Sequence, residues 1–204
     1  MKTTFIIPSK GRPTLANTLI SLYSQTAPNW NAIVCFDAVE PTIQSNAKVT
    51  AIHSKQKLGI GVNGAGAVRN YAIEQASKQH LLGDWIAFVD DDDILEPVYL
   101  YDLENYTNVY EPQNDPDIIV FGMKYTDGTF LPPRDEKDIN KLENKIGISF
   151  ACKRYVFNKI QFEPSSGEDF NFLKRAQDLG LKIIISDWIN YLVAPLGCPP
   201  DRRK

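Results

Sequence analysis

Apolar residues along this chain fall into two kinds of run. Thr3–Ile7, Ala32–Phe36, Val49–Ile52 and Trp85–Val89 are short, continuous and rich in β-branched and aromatic residues, the pattern of strands buried on both faces. Between them apolar residues recur at helical spacing. One such set is Leu15, Leu19, Leu22 and Tyr23, after the turn Pro8-Ser9-Lys10-Gly11-Arg12-Pro13. The other is Val68, Tyr71, Ala72 and Ala76, in a helix starting near Ala67 after the glycine-rich loop Gly59-Ile60-Gly61-Val62-Asn63-Gly64-Ala65-Gly66. Pro13 suits the first position of the first helix. Strands alternating with helices predict right-handed βαβ units and an α/β fold with a mainly parallel central sheet.

The second half changes rhythm. Val98–Tyr110 has a helical pattern, Asp117–Tyr125 reads as a strand, and Asp127-Gly128 is a hairpin signal. Asp135–Lys145 is charged and reads as an exposed helix, followed by a strand over Gly147–Cys152. Ser165-x-x-Glu168 has the form of a capping box. It would open a helix carrying Phe170, Leu173, Ala176 and Leu179, stopped by Gly180. Leu181–Ile185 is a last strand, and the end, with Pro195, Pro199 and Pro200, is irregular. No repeat or linker interrupts the pattern. One domain over residues 1–204 is expected, with a nucleotide-binding half at about 1–95 and a half at about 96–204 that could present a second substrate.

Composition adds limits. The charge, 22 − 25 = −3, argues against a general nucleic-acid surface. Cys35, Cys152 and Cys198 show no metal-ligand spacing, as expected of free thiols in a reducing compartment. No apolar stretch approaches the ~20 residues of a membrane span, and the first strand begins without a signal-peptide pattern. A soluble, cytoplasmic protein is the expectation.

The chemistry is concentrated at Asp90-Asp91-Asp92-Asp93, which follows the strand Trp85–Val89. Four carboxylates then leave the sheet together at its carboxyl edge, where open α/β folds bind ligands. Crowded like charges are costly without a cation, and hard oxygen donors favour Mg²⁺ or Mn²⁺. Asp90 and Asp92, at alternate positions, could face one ion. The plainer alternative is a solvated acidic turn before the helix that Pro97 begins.

Four groups of residues, in order, resemble glycosyltransferase family 2, the GT-A nucleotide-sugar transferases. Phe5-Ile6-Ile7-Pro8-Ser9-Lys10-Gly11-Arg12-Pro13, with Leu22-Tyr23-Ser24-Gln25-Thr26, is similar to the family's opening "IIPTYNRP…SLLAQT" pattern. Val34-Cys35-Phe36-Asp37 is similar to its aspartate-ended strand. Ala67-Val68-Arg69-Asn70 is similar to its "ARN" helix start, and Phe88-Val89 with the four aspartates to its Asp-x-Asp motif. Gly167-Glu168-Asp169-Phe170 is similar to its "ED" motif. The resemblance implies a nucleotide-sugar donor, most often a UDP-sugar, an acceptor hydroxyl and an inverting transfer. It implies Asp92 and Asp90 as metal ligands, with Asp90 able instead to reach ribose or sugar hydroxyls. Pro8, Ser9, Arg12, Asp37, Arg69 and Asp91 would line the donor pocket. Within it, Asp37 would meet the base and Arg69 the diphosphate or base. Asp169 would be the general base, with Glu168 left to cap its helix.

Structural alternatives stand beside these roles. Asp37 could shape a turn, Arg69 could pair with an aspartate, and Glu168 and Asp169 could both only cap a helix. Trp30, Trp85 and Trp188 could stack on a sugar or pack in the core. The family's "DDGS" strand end is here Phe36-Asp37-Ala38-Val39, the "QxxRW" motif of processive synthases is missing, and both histidines, His53 and His80, precede the aspartates. Gly59-x-Gly61-x-x-Gly64 spells a dinucleotide fingerprint, but after the third strand rather than the first, against a dehydrogenase. A sugar nucleotidyltransferase shares the layered fold and the metal–carboxylate logic. A non-catalytic nucleotide-sugar-binding domain would carry the same donor motifs without turnover.

Overall fold

The computed structural model describes residues 1–59, 64–107 and 115–193. Its first half is built as the pattern predicts. Strand β1 (Thr3–Ser9) lies between β2 (Trp30–Asp37) and β4 (Trp85–Phe88), parallel to both, and β3 (Val49–Ser54) extends the sheet beyond β2. Phe5, Ile6, Ile7, Ile33, Val34, Ile86 and Phe88 are fully buried. These strands have helices to cover them, so their sequences stay apolar without alternation.

Helix α1 (Leu15–Tyr23) buries Leu15, Thr18 and Leu22. Helix α2 (Ala65–Lys78) buries Val68, Ala72, Ile73 and Ala76 against β1 and β2, and with them the charged Arg69. Tyr23, expected on the apolar face of α1, is exposed and packs edge-on against Trp30 at 5.4 Å.

Five further strands are β5 (Ile94–Leu95), β6 (Ile118–Tyr125), β7 (Phe130–Leu131), β8 (Phe150–Lys153) and β9 (Ile183–Val193). Among the described residues the sheet then has nine strands, in the order β3-β2-β1-β4-β8-β6-β9-β5, with β7 attached to β6. It is parallel through β3, β2, β1 and β4 but mixed beyond, because β8 is antiparallel to both β4 and β6. β6 turns into β7 as a hairpin, and the chain reaches β8 without a crossover helix of the kind that enforces parallel pairing. The short β5 directly follows the aspartates and pairs with β9 at the far end of the strand order. The aspartate turn therefore ties β4 to that end of the sheet.

Three expectations need correction. Asp135–Lys145 is not a helix: it contains one 3-10 turn, Ile139–Lys141, with Ile139 and Leu142 buried as anchors under a charged surface. Its alternating charges imitate a solvated helix face without forming one. Ser165-x-x-Glu168 is not a capping box. Helix α4 (Glu168–Asp178) starts after Gly167 in the left-handed region, at φ +81°, and has no side-chain cap. The last strand runs well past Ile185, to Val193. The helix expected at Val98–Tyr110 is α3, Tyr99–Asn105. Residues 108–110, residues 60–63 of the glycine-rich loop, Cys198 and the three late prolines lie outside the described residues.

Candidate active site

The parallel register lines up the carboxyl ends of β1, β2 and β4. Ser9 pairs with Phe36, next to Asp37, and Ile6 pairs with Phe88, just before the aspartates. Pro8 and Ser9, Asp37 and the four aspartates thus share one edge.

The four aspartates divide by burial. Asp91 and Asp93 are 3% and 2% exposed, while Asp90 and Asp92 are half-buried. Asp91 faces β1. It accepts hydrogen bonds from Ser9 Oγ (2.7 Å), the Lys10 amide (3.1 Å) and Arg12 Nη1 (3.0 Å). Burial raises its proton affinity, and these donors partly offset that. Asp93 faces β9, where the Tyr191 hydroxyl donates to it at 2.8 Å and accepts from the Asp90 amide at 3.1 Å. Thr18 of α1 donates to the Asp93 carbonyl at 2.8 Å. Asp91 and Asp93 pin the turn, and Asp90 and Asp92 are left at its open side.

Two arginines meet those open carboxylates. Arg12 Nη1 lies 2.7 Å from Asp92 Oδ2. Arg69, 2% exposed, reaches Asp90 Oδ1 at 2.6 Å with one nitrogen, and Glu168 Oε1 at 2.9 Å and Asp169 Oδ1 at 3.5 Å with the other. Burial alone would lower the Arg69 pKa, but Asp90, Asp169 and Glu168 outweigh it and push it up. Burying such a charge is tolerable because both terminal nitrogens meet carboxylates.

Glu168 is also the partner of the α2 N-terminus, since both its oxygens accept the Gly66 amide, at 3.0 and 3.1 Å. A Cβ on Gly66 would sit 2.6 Å from Glu168 Oε2 and 2.7 Å from Phe162 Cβ, so only glycine fits there. Asp169 keeps 22% of its side-chain exposure, open enough to meet a second molecule. Burial pushes its carboxyl up to about 7, despite the opposing pull of Arg69. A carboxylate titrating near neutrality suits proton abstraction.

Asp37 makes contacts within the chain. Its carboxylate accepts the Leu58 amide at 2.6 Å and the Gly59 amide at 3.2 Å. It anchors the start of the glycine-rich loop, as Glu168 anchors the end. Trp85 is buried in the core, Trp30 packs on Phe5 and Tyr23, and Trp188 packs on Tyr106 at 4.6 Å. A cavity of about 710 Å³ between α2 and residues 154–161 lies apart from this site and includes none of the four aspartates.

A family model, glycosyl transferase family 2, matches residues 4–167. The chain belongs to this family. No curated protein matches it in sequence. Among solved structures, Staphylococcus aureus TarS 1–349 in complex with UDP-GlcNAc superposes with a TM-score of 0.76 at 21% identity, over 98% of this chain and 60% of that one. The mannosyltransferase PcManGT of Pyrobaculum calidifontis, in complex with GDP-Man and Mn²⁺, gives 0.65 at 13% identity, over 98% and 58%. Glucosyl-3-phosphoglycerate synthase of Mycobacterium tuberculosis, with Mn²⁺, UDP and phosphoglyceric acid, gives 0.60 at 15% identity, over 98% and 72%. At these identities the likeness is one of fold, and the chain spans about 60% of the length of TarS 1–349.

The family implies a divalent cation, and the donor set suits one. Asp90, Asp92 and Asp93 each offer a carboxylate oxygen, all within 4.8 Å of one another, and hard oxygen ligands fit Mg²⁺ or Mn²⁺. Asp93 was not among the ligands expected from sequence. Neither was the Tyr191 that orients it, because β9 was expected to stop at Ile185, short of it. The expected pair Glu168 and Asp169 does sit beside Asp90, but through Arg69, a link between residues about a hundred positions apart that no local pattern encodes.

Proposed function

We propose that this chain transfers a sugar from a nucleotide diphosphate donor, a UDP-sugar, to an acceptor hydroxyl with inversion, with Asp169 as general base. The observation that carries the reading is the placement of Arg69. It joins Asp90, on the donor side, to Asp169, on the acceptor side, through one buried cation. Donor diphosphate and acceptor hydroxyl would therefore meet across a single guanidinium.

The geometry supports a role for each residue. Asp92 and Asp90, with Asp93, would hold a divalent cation, which when bound supplies positive charge to the departing diphosphate. Arg12, on the rim, would turn from Asp92 to the diphosphate oxygens, a good match for its forked donors. Pro8 and Ser9 would line the base side of the pocket. Asp37 would act there through the loop it anchors, or offer a lone pair to the base. Asp169 would take the acceptor proton as the oxygen attacks the anomeric carbon. TarS with UDP-GlcNAc and the synthase with UDP support a uridine donor. PcManGT with GDP-Man makes guanosine the alternative to test.

The test is release of free nucleotide from UDP- and GDP-sugars, with and without Mn²⁺, on wild type and Asp169→Asn. Metal-dependent release from one donor class, lost in the variant while nucleotide still binds, supports the proposal. Normal turnover by the variant removes Asp169 from the mechanism.

A further inference from the structure

The β6–β7 hairpin carries a feature that donor chemistry does not use. Lys124 and Phe130 are cross-strand partners, so their side chains stand on one face of the hairpin. The Lys124 ammonium lies 5.9 Å from the Phe130 ring centroid, and the Arg134 guanidinium carbon 5.3 Å from it. Phe130 remains 36% exposed. No carboxylate pairs with either cation among the described residues. The nearby acids are turned to other work. Asp127 accepts the Thr129 amide in the turn, and Glu136 accepts the Asp138 amide and meets Lys141 at 3.5 Å. Asp135, beside Arg134, is exposed.

Two like charges over one ring repel. A cation–ring contact at an exposed site is a weak attraction that offsets only part of that. An oxyanion placed between them would relieve the repulsion, while the ring offers an apolar face to the carbon skeleton that carries it.

Position gives the patch a use. Lys124 is in register with Leu192 of β9, and Leu192 with Ile94 of β5, the residue after Asp93. At roughly 4.8 Å per strand step, Lys124 stands about 10 Å from the end of the aspartate turn, within the span of two sugar rings. β6 is parallel to β9 and antiparallel to β8, which is antiparallel to β4. The hairpin therefore rises from the same sheet edge as the aspartates.

We infer that Lys124, Phe130 and Arg134 form an acceptor subsite for an oxyanion-bearing saccharide, one carrying phosphate or carboxylate near the hydroxyl that is glycosylated. This rests on the proposed transferase reading only for the word acceptor; the binding site is argued from the hairpin itself.

The test is an amide-resolved NMR titration of the whole chain, saturated with UDP and Mg²⁺, using glucose 6-phosphate, glucuronate and glucose as matched probes. The amides of Lys124, Phe130 and Arg134 are expected to shift with at least one anionic probe and not with glucose. Which anion binds identifies the charge recognised. Lys124→Ala with Arg134→Ala should weaken that binding at least tenfold, and Phe130→Ala should weaken it less. Hairpin amides that stay still with both anions, or move equally with glucose, overturn the inference. So does unchanged binding in the double variant. UDP binding is read in the same samples at Lys10 and Asp91, so failure of the donor reading is seen separately from failure of the subsite.

Discussion

Two arginines reach the same acidic turn from opposite sides, and the contrast between them explains how it works. Arg69 approaches from within: it is 2% exposed, lies on a helix buried against the sheet, and is surrounded by Asp90, Glu168 and Asp169. Arg12 approaches from the rim: its side chain is 24% exposed, it follows Gly11 in the left-handed region, and it touches Asp91 and Asp92. The first is an internal counter-ion whose removal leaves the buried Glu168 and the half-buried Asp90 and Asp169 without a shared cation. The second is a cation that water can replace. The same residue type, paired with the same run of aspartates, is structural on one side and displaceable on the other.

The largest break in that comparison is Arg69→Met. Leaving buried charges without their partner costs about 3–5 kcal/mol, so urea unfolding should show a loss of that order. A loss below about 1 kcal/mol, the scale of a surface pair, would mean that the Arg69 site is far wetter than its burial implies.

Asp169→Asn comes next. Transfer should fall about 10²–10⁴-fold, the usual worth of a general base, with nucleotide affinity unchanged by calorimetry. The raised carboxyl adds a pH signature. Transfer should rise as pH increases through about 7. With saturating Mn²⁺ the rise should move to lower pH, because a nearby cation favours the ionised form. Stability has the opposite sign. Between 3.8 and about 7 the folded chain holds a proton on Asp169 that the unfolded chain has released. That contribution is full below this window and lost as pH rises through it. Asp169→Asn should flatten this part of the stability–pH curve.

Tyr191→Phe should cost about 1–3 kcal/mol, because it leaves a buried Asp93 oxygen and the Asp90 amide short of a partner. It should also weaken Mn²⁺ binding measured without nucleotide. Arg12→Ala is the smallest. Its effect on unfolding should stay below that of Arg69→Met, because Ser9 and the Lys10 amide still hold Asp91, while nucleotide diphosphate affinity drops about tenfold, the worth of one charge-assisted hydrogen bond. A larger loss of stability than of affinity would make Arg12 a structural residue like Arg69.

Much of this was legible in the chain because it is local. Continuous apolar runs mark β1, β2, β3 and β4, and a strand feeding four aspartates places the acidic turn at the carboxyl edge. The connections between distant residues were not legible. Asp37 sits where a base-binding aspartate was expected, and its oxygens also accept the Leu58 and Gly59 amides, a contact no periodicity announces. Glu168 has the spacing of a cap for its own helix and instead caps α2. The helix starts one residue after Gly167, which turns the carboxylate outward to Gly66 and Arg69. The stretch 135–145 imitates a helix because two buried anchors, Ile139 and Leu142, are too few to show a period among so many charges.

The central claim is that the aspartate turn binds a nucleotide diphosphate through a divalent cation. The most direct test is calorimetric titration of UDP, with GDP as control, with and without Mn²⁺, on wild type and Asp92→Ala. UDP binding that requires Mn²⁺ and is abolished by the substitution is the predicted result. UDP binding that is unchanged by removing Mn²⁺ and by losing Asp92, or no binding of either nucleotide with the metal present, would contradict it.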